Sequence, residues 1–236
     1  MKRPLLEAIL AAKREKQPVA LVTWTDSGRQ ALLSVNAGVL AGDGEDIGPA
    51  VVEGAAAALR RDKSHALDTP SGPAFIQAIN PPLRMIIIGA VHISQALAPM
   101  AAMLGYEVSV VDPRRAFASS ARFPEINVLG NWPDDALAQL KPDRRSAVVT
   151  LTHDPKLDDP ALTVALRSEA FYIASLGSKR THAKRVERLR RAGFDDADIA
   201  RIHGPAGLAI HARSPAEIAT AILAQATQVL RGADSG

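Results

Sequence analysis

The stretch that most constrains this chain is residues 85–94, where Met85, Ile86, Ile87 and Ile88 run into Gly89, Ala90, Val91 and His92. A short β-branched run ends in a glycine, and an apolar helical pattern follows at once. Ile93, Leu97, Met100 and Leu104 recur at spacings of three or four, as one face of a helix requires. Gly105 stops that helix, and residues 106–111 form a second strand that ends in Asp112. Strand, tight turn, helix, strand and terminal acid make the first βαβ unit of a dinucleotide-binding type of fold. In such a unit the turn brings backbone close to a phosphate, and the helix N-terminus offers it free N–H groups. An acid about 20 residues on accepts hydrogen bonds from a ribose-like diol. Gly89, Ala90 and His92 are the turn candidates and Asp112 the acid. Two fingerprint glycines are replaced, by Val91 and Ser94. A β-branched side chain resists positive φ and holds a ligand off the backbone. The topology is therefore expected, with NAD(P) the less favoured ligand.

Beyond residue 82 the chain alternates. Strands are expected at 84–88, 107–111, 126–129, 146–150 and 170–176, and helices at 91–104, 133–140, 160–167, 180–192 and 215–230. That rhythm predicts a Rossmann-like, mainly parallel α/β sheet covered on both faces. The first 80 residues differ. A helix at 4–16, with Leu5, Ile9 and Ala12 on one face, precedes strands at 19–25, 31–40 (broken near Asn36) and 74–79. A turn falls at 42–46, a helix at 50–61 and a loop at 62–72, which together give a smaller α+β unit. Asn80, Pro81 and Pro82 mark the boundary, because consecutive prolines are stiff and cannot continue a helix. The expected domains are 1–80 and 83–236.

Ligands on doubly wound sheets bind beyond the carboxyl ends of the strands, so those ends carry the candidate site. Asp112 is followed by Arg114 and Arg115, either of which could take a phosphate in place of a diol. Thr152, His153 and Asp154 follow a buried strand and combine a hydroxyl, an imidazole and a carboxylate. Asp154 and, ahead of Pro160 as its first position, Asp158 and Asp159 are expected to cap the next helix. Gly177, Ser178, Lys179 and Arg180 form a second glycine turn into a helix, with Ser178 as cap and the two bases facing an anion. The spacing is not that of a P-loop. Farther along that helix Ala183, Val186 and Leu189 are expected to face the core and the remaining bases to face water. His203 and His211 fit no metal spacing and are expected in a packed loop. His65 and His182 are expected at the surface, and Trp24 and Trp132 in packing.

Composition narrows the function classes. The 236 residues are 47% hydrophobic and 22% charged with a formal net charge of +3, which suits an anionic small ligand better than a nucleic-acid track. There is no cysteine, which removes disulfides, thiolate metal sites and cysteine nucleophiles within the chain. No apolar run approaches the roughly 18 residues of a membrane span. Glu7, Lys13, Arg14 and Glu15 interrupt any leader-like core. Neither a nucleic acid nor a membrane is expected as a partner, and the expected compartment is the cytoplasm.

Taken together, several stretches resemble the xanthine dehydrogenase accessory (XdhC/CoxI) family. They are Ile88, Gly89, Ala90, Val91 and His92; Val110, Val111 and Asp112 with Arg122, Phe123 and Pro124; residues 151–154 with 157–162; and residues 172–181, 202–208 and 214–219. Order and spacing match from about residue 82 onward, and residues 5–25 resemble the start of the family's N-terminal domain. The resemblance implies a chaperone that binds the molybdenum cofactor (molybdopterin), protects it and delivers it to a xanthine-dehydrogenase-type molybdenum hydroxylase, with no turnover of its own. It leaves as alternatives an NAD(P)-linked or nucleotide-processing enzyme, or a ligand-free scaffold of the maturation complex. A homodimer, or pairing with a fuller paralogue, is the expected assembly. The chain departs from the family pattern at Val91 and Ser94, at Ala174, and at Ala209 and His211, where the family usually has Gly, Gly, Gly, Asp and Gly. Its residues 48–53 also lack the cysteine of the family's Gly-Gly-Cys-Val-Glu segment. Thiolate contact with molybdenum is thereby out of reach within this chain.

Overall fold

A computed structural model of the chain describes residues 2–44, 47–114, 116–119 and 121–232. The chain divides into two compact units, Met1–Pro81 and Pro82–Gly236. The N-terminal unit is α1 (Arg3–Arg14), β1 (Val19–Trp24), β2 (Gln30–Ser34), β3 (Gly38–Gly42), α2 (Pro49–Arg61), β4 (His65–Thr69) and β5 (Gly72–Ile79). Its sheet is antiparallel, in the order β3-β2-β1-β5-β4. Alternation along β1 explains why the sheet is covered on both faces. Val19 and Leu21 meet Leu5, Ile9 and Ala12 of α1, while Ala20, Val22 and Trp24 meet Val51, Ala55 and Ala58 of α2. Strand β4 lies in the stretch expected to be a loop. Its alternating half-exposed residues carry little hydrophobic signal and are held by pairing with β5. The turn expected at 42–46 ends in Glu45 and Asp46, outside the described residues.

The C-terminal unit continues with β6 (Arg84–Ile88), α3 (His92–Met103), β7 (Glu107–Val111), β8 (Asn127–Leu129), α4 (Pro133–Leu140), β9 (Ser146–Thr150), α5 (Pro155–Leu166), β10 (Tyr172–Ser175), α6 (Lys179–Arg191), α7 (Asp196–Ala200), β11 (Ile202–His203) and α8 (Pro215–Gly232). Six parallel strands run in the order β8-β7-β6-β9-β10-β11. This is the doubly wound order, with its switch point between β6 and β9. Along β6, Met85 and Ile87 point to the face covered by α3 and α8, and Ile86 and Ile88 to the face covered by α4 and α5. Such strands are hydrophobic at every position because both faces are buried.

Several expectations change. Helix α5 begins at Pro155, with Asp154 as its N-cap, rather than at Pro160, so Asp158 and Asp159 lie inside the helix and cap nothing. Proline at the first helical position competes twice in this sequence, and the capping aspartate next to Pro155 decides the start. Trp132 is 54% exposed, not packed, whereas Trp24 is buried. His65 and His182 are half-buried rather than at the surface. The short α7 and β11 have too few residues to show a period, and β11 opens the stretch expected to be a packed loop.

Candidate functional site

The first glycine turn is braced from within. Gly89 has φ +108°, a conformation open to glycine, and a Cβ placed there would lie 2.6 Å from Thr152 Cγ2. The loop after β9 thus packs onto the turn after β6 at the switch point. Asp112 is fully buried, and its carboxylate accepts from Ala90 N (2.8 Å), Arg114 N (3.0 Å), Arg114 Nε (2.9 Å) and Arg114 Nη2 (2.7 Å). Burial pushes its carboxyl up, but the Arg114 guanidinium and the two backbone N–H groups outweigh this and hold it below the usual range. The Ala90 carbonyl accepts from Arg122 Nη1 at 2.8 Å. An open acceptor for a diol is therefore not what Asp112 provides. It ties the turn to the end of β7, and Arg114 is spent on holding it. Val91 sits at φ −98°, extended backbone that a β-branched residue adopts without strain. Ser94 is buried and bonds back to Val91 O at 2.6 Å. His92 begins α3 and is exposed. Arg115 lies outside the described residues.

The other candidates gather one strand over, at the ends of β9 and β10. Thr152 donates to Asp158 Oδ1 at 2.6 Å and accepts from Asp154 N at 3.1 Å. Asp154 accepts from Lys156 N at 2.9 Å as the cap of α5. His153 stands between them, exposed, at φ +62°. Gly177 has φ +144°, where a Cβ would meet Thr181 Cγ2 at 3.0 Å. Ser178 caps α6 by accepting from Thr181 N at 3.1 Å, and Lys179 and Arg180 follow, both exposed.

Between these loops lies a cleft of about 200 Å³ lined by His153, Pro155, Asp158, Arg180, Thr181, Lys184, Arg185 and Arg188. Of the residues proposed from sequence to touch a ligand, only His153 and Arg180 reach it. The others scaffold it, as Thr152, Asp154, Gly177 and Ser178 do, or stand outside its lining, as Lys179 does. Arg185, expected to face water, is 1% exposed, whereas Ala183 is exposed and Val186 half-buried. Arg185 donates to Leu176 O at 2.9 Å, and its Nη2 stands 4.0 Å from Asp158 Oδ2. That separation is an ion pair without a hydrogen bond. Asp158 Oδ2 and Arg185 Nε are buried without hydrogen-bond partners. Burial, only partly offset by Thr152 and Arg185, pushes the Asp158 carboxyl up, and burial pulls the Arg185 guanidinium down. The two shifts agree that each charge costs more to bury than the pair returns. Arg188 pairs with Asp159, with Nη2 3.0 Å from Oδ1. Arg180 and Lys184 have no carboxylate partner among the described residues.

Arg185 escapes a reading of the sequence because the rest of α6 is so basic. The available signal is its place four residues before Leu189, on the one apolar stripe of the helix. Asp158 sits likewise on the buried stripe of α5, four before Leu162. A charge on each of two packed stripes is a pattern to seek. Gly89→Ala is expected to cost about 1–3 kcal/mol in strained backbone. It should also displace Thr152 from Asp158, seen as faster proteolysis between β9 and α5.

Fold and edge define a Rossmann-type domain whose first turn is held by its own Asp112 and whose neighbouring cleft is basic with one buried acid. Residues 85–226 match the family described as the XdhC Rossmann domain, and the chain belongs to that family. The Escherichia coli molybdenum cofactor insertion chaperone PaoD is 30% identical over 66% of this chain and 42% of its own length. A Bacillus subtilis protein described as a probable xanthine dehydrogenase subunit is 32% identical over 65% of this chain and 45% of its own length. The uncharacterized E. coli protein YqeB is 29% identical over 75% of this chain and 34% of its own length. The chain thus spans less than half the length of these relatives. A crystal structure described as a xanthine dehydrogenase from Bacillus halodurans superposes with TM-score 0.73 at 26% identity, covering 98% of this chain and 68% of that one. Among the described residues no group of His, Asp or Glu is placed to hold a metal ion, and no helix is long and apolar enough to cross a membrane.

Proposed function

We propose that this chain binds the molybdenum cofactor at the carboxyl edge of its parallel sheet and passes it to a molybdenum hydroxylase as a maturation chaperone. The observation that carries this reading is the cleft between the β9 and β10 loops, where Arg180 and Lys184 lie beside the capped N-terminus of α6. A phosphate-bearing cargo suits such a wall. The names of PaoD and of the B. subtilis relative support the same direction. At about 200 Å³ the cleft is smaller than the roughly 300–1,000 Å³ of sites that enclose a drug-sized ligand, so it would grip one end of the cargo and leave the rest for transfer. An NAD(P)-linked enzyme is the poorer reading, since Asp112 and the Ala90 backbone are already engaged by the chain itself.

Calorimetric titration with molybdenum cofactor, and separately with NAD, NADP and CTP, tests the reading. Saturable cofactor binding is expected, weakened at least tenfold in the Arg180→Ala/Lys184→Ala variant. A nucleotide signal without a cofactor signal would replace it with the enzyme reading. Silence toward all four would leave a ligand-free scaffold.

A further inference from the structure

The basic cleft has a buried acid in its lining. Asp158 is 1% exposed, Thr152 occupies its Oδ1, and its Oδ2 has no donor within hydrogen-bonding distance. A site built only for phosphate gains nothing from a carboxylate there, because two anions repel in a partly desolvated cleft. Nor does Arg185, its ion-pair partner at 4.0 Å, hydrogen-bond the acid; its Nη2 donates to Leu176 O instead. A buried carboxylate oxygen left unpaired costs free energy that an incoming N–H donor would return. The ligand matched to this lining therefore carries both an anionic group, for Arg180 and Lys184, and an edge of N–H donors, for Asp158.

We infer that Asp158 is a specificity residue of the cleft, accepting through Oδ2 from the amino and ring N–H groups of a cyclic guanidine edge such as that of a pterin. This rests on the cofactor reading above and adds to it the end of the cargo that enters: the heterocycle goes inward, with its anionic substituent toward Arg180 and Lys184. Thr152 is then a positioning residue, since its hydroxyl, in the loop that packs on Gly89, holds Oδ1 and leaves Oδ2 without a hydrogen bond.

The test uses the full chain and two fluorescent probes, pterin-6-carboxylate and lumazine-6-carboxylate. They differ in that the pterin has an amino donor where lumazine has a carbonyl acceptor. Wild-type protein should bind the pterin at least tenfold more tightly. Asp158→Asn, near-isosteric and still able to accept from Thr152, turns the free acceptor into a donor and should abolish or reverse the preference. Molybdenum-cofactor uptake is measured on both proteins in parallel. Equal affinity of the wild type for the two probes, or pterin binding unchanged in Asp158→Asn, with cofactor uptake intact, would overturn the role of Asp158 and leave the chaperone reading in place. Absence of cofactor uptake by the wild type would overturn both.

Discussion

Replacing Arg185 by alanine is expected to destabilise the C-terminal unit by about 3–5 kcal/mol, the usual cost of removing one partner from a buried ion pair. Three losses combine. Asp158 is left buried with neither Arg185 nor a hydrogen bond at Oδ2, the Leu176 carbonyl loses its 2.9 Å donor, and a long side chain vacates the α5–α6 contact. The pH dependence separates the first from the others. Burial already holds the Asp158 carboxyl above its ordinary value, and without Arg185 it rises further. A carboxyl raised in the folded state binds more protons folded than unfolded, so stability falls as pH climbs from the ordinary carboxylate range through the raised value. The gap between wild type and Arg185→Ala should therefore be widest at neutral pH and narrow toward pH 4. What remains there is the cavity and the orphaned carbonyl. Combining Arg185→Ala with Asp158→Asn should recover about 1–2 kcal/mol at neutral pH by removing the stranded charge. Urea unfolding followed by circular dichroism, with hydrogen exchange of β9 and β10 amides to locate the change, measures the wild type, Asp158→Asn, Arg185→Ala and the double variant. A double variant no more stable than Arg185→Ala alone would show that the charges do not interact.

The places where sequence and structure part company share a physical cause. Strands β6, β7 and β9 and helix α3 are legible because their hydrophobic periods are long and are not contradicted by charge. The resemblance draws on the same stretches, and the family is the one to which the chain belongs. The candidate site is legible only as an edge. Gly177, Ser178 and Arg180 point to a loop that borders the cleft, yet the residues that give the cleft its character, Asp158 and Arg185, read from sequence as a cap and as a wet base. Local rules favour those assignments, since an aspartate before a proline is a good cap and an arginine in a basic helix is usually solvated. Tertiary packing of α5 on α6 overrides both. Asp112 is the converse case: its position at the end of β7 reads as a ligand acceptor, but the donors that reach it belong to the chain. No spacing rule distinguishes an acid that awaits a ligand from one already used to hold its own turn.

Asp112→Ala is the second large effect, expected to cost about 3 kcal/mol. A hydrogen bond to a charged group is worth about 1.5–3 kcal/mol, and removal of one partner leaves buried donors unpaired. Here four N–H groups converge on one carboxylate of 0% exposure, and Ala90 N has no evident substitute acceptor within its turn. The sum stays below four separate bonds because the Arg114 side chain, 41% exposed, can turn to water once released. Arg114→Ala should accordingly cost less, about 1 kcal/mol, since Asp112 keeps both backbone donors. The pH signature is opposite to that of Asp158. The Asp112 carboxyl is held below its ordinary value, so its stabilisation is present above the unfolded value and is lost as pH falls through the depressed one. Wild-type protein should lose this contribution only as pH falls below the ordinary carboxylate range, where Asp112→Ala has nothing left to lose, so their stability curves converge there. The same acidification relieves Asp158. Two aspartates in one unit, one neutralised at a gain and one at a loss, predict that Asp112→Ala will show the weaker acid unfolding and Arg185→Ala the stronger decline toward neutral pH. Parallel stability curves for the two variants across pH 3–7 would contradict the assignment of either carboxylate.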